Sequence, residues 1–355
     1  MKRFGLILMA VCLAAMMLTG CDKSYEATPD GNTFEPTTEQ QTQVDTEEVQ
    51  SIDTVEDEVT LRVGAMSGPT AMGLVKLMSD AEAGNTQNVY EFADLATDAS
   101  VFVAPISQGE LDIAAVPANL ASVLYQKTEG GVQILAVNNL GVLSIVERGD
   151  SVQQISDLKG KTIYATGQGA TPEYTLRYIL QENGIDPDAD VTIQWCADTT
   201  EALSYVTADE AAIAMLPQPF VTAACAQVEN LRVAIDLNDA WSQVAPDSSI
   251  VTGVIVVRRA FAEEHPQAVE TFLAEYEASM EYTENNPSEA AALIEQYGIV
   301  AKAAVAEKAL PGCHLNFMKG SEMKTIVSQY LEMLYEQNPS SVGGNVPGDD
   351  FYYGL

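Results

Sequence analysis

Residues 155–174 read ISDLKGKTIYATGQGATPEY, and the order of residue types in this stretch decides the class of fold. Ile155–Gly160 reads as a short helical turn and Lys161–Ala165 as a strand, after which a Gly-Gln-Gly loop leads to Thr171 and Pro172. Proline is tolerated in the first turn of a helix because its missing N–H would find no partner there. From Thr171 to Asn183 apolar residues recur at helical spacing, and Gly184 supplies a stop. A strand, a glycine loop and an amphipathic helix in that order form half of a strand–helix–strand unit.

The unit repeats in both directions. Downstream lie strands at Val191–Trp195, Ala211–Leu216 and Leu231–Leu237, separated by helices at Thr199–Val206 and Gln218–Gln227. Upstream, Val59–Met66 opens the folded part as a strand. Ser67-Gly68-Pro69-Thr70 then turns into a helix that clusters Met72, Leu74, Val75, Leu77 and Met78 on one side. Asn88–Phe92, Leu111–Val116, Val132–Val137 and Val142–Val146 read as further strands, with helices near Ser100–Gln108 and from Asn119 to Lys127. Strands alternating with helices predict parallel sheets covered on both faces, an α/β fold. After a strand at Ile250–Val257 the pattern predicts helix to the end of the chain. Val269, Phe272, Leu273, Tyr276 and Met280 mark one buried stripe, Pro287 opens the next helix, and Met323–Tyr335 makes the last. Such a stripe reads as core rather than as a ligand site.

The N-terminus carries a different signal. Lys2 and Arg3 precede an apolar run from Phe4 to Leu18, shorter than the roughly 20 residues of a permanent span. Residues 1–20 therefore read as a cleaved export signal. The run closes on Leu18-Thr19-Gly20-Cys21, which resembles the lipobox of bacterial lipoproteins. That resemblance implies lipidation of Cys21 and a place on the extracytoplasmic face of the cell membrane. Residues 21–58 are rich in Thr, Gln, Glu and Asp, with Lys23 as the only base against twelve acids. A segment so poor in aliphatics cannot offset its chain entropy, and its like charges hold it extended. It reads as a disordered tether.

Composition narrows the function. The 355 residues carry a formal net charge of -34, which argues against nucleic acid as a partner and against unaided binding to anionic membrane. Residues 59–355 suffice for one large core or two ordinary ones. Cys196, Cys225 and Cys313 are widely spaced, with no CxxC and no Cys/His cluster, so no metal site is expected and buried thiols are favoured over a disulfide. The GxG at 167–169 lacks the further glycine of a dinucleotide fingerprint, because Thr171-Pro172 follow it. No cofactor is expected.

Four segments carry a family resemblance: GELDIAAVPANLAS (109–122), ISDLKGKTIYATGQGATPEY (155–174), EAAIAMLPQPFVTAA (210–224) and RRAFAEEHPQAVETFLAEYEASMEYTENNPSEAAALI (258–294). In this order they resemble the type II periplasmic solute-binding proteins of ABC importers, in the branch that binds nitrate, sulfonates, taurine and thiamine precursors. The resemblance implies two α/β lobes, one from 59–146 plus 253–355 and the other from 147–252. Crossings would fall near Val146–Asp150 and Ser249–Val254. It further implies a ligand held in the cleft, an ABC permease and its ATPase as partners, and a monomer.

Open α/β sheets bind ligands beyond the carboxyl ends of their strands. Four places qualify: Ser67, Gly68, Pro69 and Thr70; Pro117 and Asn119; Gly167, Gln168, Gly169 and Thr171; Gln218 and Pro219. They offer hydroxyls, amides and backbone N–H groups, with Tyr164, Tyr174 and Phe220 nearby, but no Arg or Lys. A dedicated anion site usually includes a fork-like arginine. The expected ligand is a neutral, zwitterionic or weakly anionic organic solute. Trp195 and Trp241 are read as core. Chorismate dehydratase and the pyrimidine synthase of thiamine synthesis resemble the same binders, so an enzyme is the alternative, and a ligand-presenting sensor a further one. The only histidines, His265 and His314, show no partnered base or carboxylate in the sequence, and the cysteine-rich motif of the synthases is absent. The reading is a binding protein with no catalytic residues.

Overall fold

The computed structural model describes residues 59–97 and 99–355; the export signal, Cys21 and the acidic tether lie outside the described residues. The strands are β1 (Thr60–Ala65), β2 (Val89–Phe92), β3 (Ile113–Pro117), β4 (Val132–Asn139), β5 (Leu143–Arg148), β6 (Thr162–Ala165), β7 (Thr192–Trp195), β8 (Ile213–Pro217), β9 (Leu231–Asp236), β10 (Gly253–Arg258) and β11 (Leu315–Met318). They form two mixed sheets, ordered β11-β4-β10-β3-β1-β2 and β7-β6-β8-β5-β9. The sheets share one plan. In each, three parallel strands are followed by an antiparallel strand that has arrived from the other sheet: β10 between β3 and β4, and β5 between β8 and β9.

Sequence explains which strands sit centrally. β3 and β10 are runs of Ile, Val and Ala buried along most of their length, as strands covered on both faces must be. β2 and β7 alternate exposed and half-buried residues and lie at sheet edges. The stripe Val269, Phe272, Leu273, Tyr276 and Met280 is buried along the helix Pro266–Asn285, in one core with Leu61, Val63, Ile255 and Val257. Each such side chain contributes about 1.5–3 kcal/mol by leaving water. The opposite core joins Ile134, Val137 and Val254 to Tyr330 and Leu334 of the helix Gly320–Gln337, and continues to Ile145, Ile163 and Met215 of the second sheet.

Three expectations shift. The single helix after Ser67 is two, Pro69–Met72 and Val75–Glu82, broken at Gly73; a Cβ there would lie 1.9 Å from Met280 Sδ, so only glycine lets the helices approach so closely. The chain leaves the first sheet at residues 140–142, ahead of Val146–Asp150, because Val146 is already paired with Ala214 and Val233. The C-terminal part is not wholly helical. His314 adopts a left-handed conformation (φ 43) that ends the turn Leu310–Cys313 and sends Leu315–Met318 along β4 as an edge strand.

Candidate ligand-binding site

The first passage between the sheets has only three residues, 140–142, and these span at most about 10 Å. The carboxyl end of β4 is thereby held beside the start of β5. β10 starts at Gly253 opposite both Pro117 and Asn139, and β5 starts at Leu143 opposite Pro217. Backbone bonds close these ends: Ala118 N–H to Thr252 O at 3.1 Å, Thr252 N–H to Asn139 O at 3.2 Å, Leu140 N–H to His314 O at 3.0 Å and Gln218 N–H to Val142 O at 2.9 Å. Ligand-binding crevices of open α/β sheets form at such carboxyl ends.

The candidate residues divide. Ser67 N–H bonds Ala96 O at 2.8 Å, and Gly68 takes φ 100 to start the turn Pro69–Met72. The buried Thr70 accepts a 2.8 Å bond at its carbonyl from Asn138 Nδ2. Pro117 ends β3 at Gly253. Asn119 points toward the C-terminal segment, with Nδ2 3.4 Å from Ser341 O. Gln218 and Pro219 are joined by a cis peptide. Gln218 Oε1 takes the Thr222 hydroxyl at 2.9 Å, while its Nε2 stands against Gly312, where a Cβ would lie 2.7 Å away. Gln218 thus reaches from the second sheet to the segment preceding β11.

The glycine loop behaves differently. Gly167 and Gly169 take φ 84 and 74. Gly169 N–H donates to Glu173 Oε2 at 2.7 Å, and Arg177 Nε bonds the other oxygen of that carboxylate at 2.8 Å. The first turn of the helix Thr171–Glu182 therefore already receives a carboxylate of its own. Gln168 and Gly169 border an outer groove between this helix and Gly320–Gln337, with Tyr174, Arg177 and Gln337. Thr171 faces the hydroxyl of the buried Tyr330. Trp241 is buried against Tyr178 and Tyr330, with ring centroids 4.6 Å and 5.8 Å away. Phe220, at the mouth of the β8 turn, is 51% exposed.

Sequence reasoning passed over two residues at this place. Asn138 and Asn139 are 1% and 0% exposed. A bulge opposite Gly253 and Val254 puts both at the end of β4, the kind of irregularity that re-aims side chains. A Cβ on Gly253 would lie 2.3 Å from Asn138 Oδ1 and 2.1 Å from Asn139 Oδ1. Neither oxygen has a hydrogen-bond partner, and each buried unmet acceptor costs about 1–3 kcal/mol. Tyr276 packs by Asn138, where burial pushes its phenol well above the usual range. Consecutive amides ending an apolar strand were the available signal. His314 Nδ1 lies 2.5 Å from the backbone carbonyl of Gly141; a carbonyl only accepts, so this nitrogen carries the proton and donates.

Two arginine–carboxylate clusters stand elsewhere. Asp112 holds Arg62 and Arg258, at 2.7 and 2.9 Å, before the start of β3, and Glu147 holds Arg232 near the end of β5. These are the strand ends away from the passage. The segments 66–70, 117–119, 139–143, 166–171, 217–220, 236–239 and 250–253 contain no Arg or Lys. Cys196 and Cys313 are buried free thiols and Cys225 is half-buried; burial pushes the Cys313 thiol up to about 12. Among the described residues no helix is long and apolar enough to cross a membrane.

Curated protein sequences give no match. Among solved structures, an ABC transporter protein from Parabacteroides distasonis superposes with a TM-score of 0.69 at 23% identity, over 83% of this chain and 99% of that one. The periplasmic aliphatic sulphonate binding protein SsuA from Escherichia coli gives 0.65 at 16% identity, over 82% and 95%. The alkanesulfonate-binding protein SsuA from Xanthomonas axonopodis, bound to MOPS, gives 0.57 at 14% identity, over 81% and 94%. These likenesses establish the two-sheet fold. The family described as ABC transporter, phosphonate, periplasmic substrate-binding protein matches residues 93–309. With more than half of the chain matched, the protein belongs to this family of periplasmic substrate-binding proteins of ABC transporters.

Proposed function

We propose that this protein is a lipid-anchored receptor that captures a small organic solute between its two lobes and delivers it to an ABC importer. The observation that carries the reading is the three-residue passage at 140–142, which sets the carboxyl end of β4 beside the start of β5. Rotation about this passage and residues 245–252 opens and closes the crevice, a hinge motion. Cys21 carries the lipid, and the acidic segment 22–58 lets the receptor reach its permease. The family description names phosphonate, yet the segments at the crevice hold no cationic side chain. An anion there would rest on backbone N–H groups, hydroxyls and amides with no charged partner, so a neutral or zwitterionic solute fits this chain better. Ser67–Thr70, Pro117, Gln218 and Pro219 are the assigned contacts, and Phe220 offers a ring at the mouth.

The test is calorimetric titration of the full-length protein with a panel of small sulfonates, phosphonates, amino acids and ring compounds. Gln218→Ala is expected to weaken the best binder about ten-fold with little change in the unliganded melting temperature. Loss of fold with no ligand-specific effect would count against the site.

A further inference from the structure

We infer a second small-molecule site, apart from the crevice, in a recess of about 310 Å³ between the helix Leu237–Val244, the segment 245–248 and the helix Gly320–Gln337. None of the contacts assigned above lines it. Two of its lining residues carry buried polar atoms with no hydrogen-bond partner among the described residues, Trp241 Nε1 and Gln329 Oε1. Trp241 is 1% exposed, so bulk water does not serve its N–H. An unmet buried donor or acceptor costs about 1–3 kcal/mol, and folds rarely leave one of each beside a single recess.

The two orphans specify the occupant. An indole N–H only donates and an amide oxygen only accepts, so a molecule that meets both offers one acceptor and one donor, as a carboxamide or lactam does. The walls add a flat apolar contact. The Tyr178 and Trp241 ring centroids lie 4.6 Å apart with Met333 beside them, and rings and thioether sulfur favour an aromatic guest. The exposed acids Asp247, Glu332 and Glu336 also line the recess, and no Arg or Lys does, which turns carboxylates away. The class assigned is a neutral aromatic or heteroaromatic carboxamide or lactam. The helix Gly320–Gln337 packs on the first sheet at β4, and the helix Leu237–Val244 on the second at β5 and β9. Such an occupant therefore touches both.

The test is calorimetry on the full-length protein with benzamide, acetophenone and benzoate, probes alike in size and shape. Only benzamide offers both groups, and only benzoate is charged. Benzamide is expected to bind with a Kd of about 1 mM or tighter and about five-fold tighter or more than acetophenone, with benzoate weaker still. The chain has two tryptophans, so in a Trp195→Phe background the emission reports Trp241 alone. It should move to longer wavelength as the indole N–H gains an acceptor. Gln329→Met keeps the bulk and removes the oxygen, and the advantage of benzamide should fall below about two-fold. Gln218→Ala, in the crevice, should leave benzamide binding unchanged. If Gln329→Met does not fold, the order of the three probes on the wild type decides alone. Equal binding of benzamide and acetophenone, no binding of benzamide, an unmoved Trp241 emission, or full benzamide affinity in Gln329→Met overturns the inference. None of these results touches the receptor reading.

Discussion

His314 Nδ1 lies 2.5 Å from the carbonyl oxygen of Gly141, and the backbone carbonyl of His314 takes Leu140 N–H at 3.0 Å. One residue at the edge of the first sheet thus grips the passage to the second by both its side chain and its backbone. Gly141 is hemmed in from the other side: a Cβ there would lie 2.9 Å from Asn238 Oδ1 and 3.1 Å from Ile250. The passage is held at the place proposed as the hinge.

Replacing His314 by alanine removes the side-chain half of this grip. The lost bond is worth about 1 kcal/mol, so the unliganded protein should shift about five-fold toward the open form. Small-angle scattering should report a larger radius of gyration without ligand and an unchanged one with it. An identical unliganded radius in the variant and the wild type would refute the latch.

Gln218 and Gly312 meet at the proposed crevice, where a Cβ on Gly312 would lie 2.7 Å from Gln218 Nε2. Gly312→Leu should wedge the contact and weaken ligand binding about ten-fold, and Gly312→Leu combined with Gln218→Ala should lose clearly less than the product of the two separate losses. The two substitutions acting independently on affinity would show that the contact plays no part in closure.

Asp112 illustrates a purely structural pair. Burial pushes its carboxyl up, but hydrogen bonds from Arg62 and Arg258 outweigh this and hold it below its ordinary value. A carboxyl depressed by folding contributes stability that is full above its unfolded pKa and is lost as pH falls through the folded one. Asp112→Asn should cost about 3 kcal/mol near neutral pH, the lower end for a broken buried pair because both arginines are partly solvated. Urea unfolding should show that deficit shrinking below about pH 4. A deficit that stays constant to low pH would mean the charge plays no part.

Cys21→Ser should leave an unprocessed precursor without the acyl mass. Intact-mass measurement of the membrane fraction checks this, and normal cleavage of the variant would remove the lipid from the account.

Much of the architecture is legible in local pattern. Strand–helix alternation from Val59 to Leu237 follows from periodicity and from turns such as Gly68-Pro69 and Gly167-Gln168-Gly169. Sheet membership is not local. β4 and β5 are both apolar runs, and the bonds to β8 and β9 that place β5 in the second sheet join residues far apart in the chain. β11 escaped notice because its four residues are all half-buried and leave no alternation to read. In the site, glycine and proline marked the strand ends, but the direction of Asn119 depends on the C-terminal segment around Ser341. The commitment of Gly169 N–H to Glu173 was readable in principle, since an acid in the first helical turn competes for those N–H groups.

The central claim, that the crevice beside residues 140–142 holds a small solute, is tested most directly by native mass spectrometry of the full-length protein isolated from its own cells. The account predicts a protein mass with one small adduct that dissociates on unfolding and is weakened by Gln218→Ala. A bare protein mass, with no melting shift from any member of the solute panel, would contradict it.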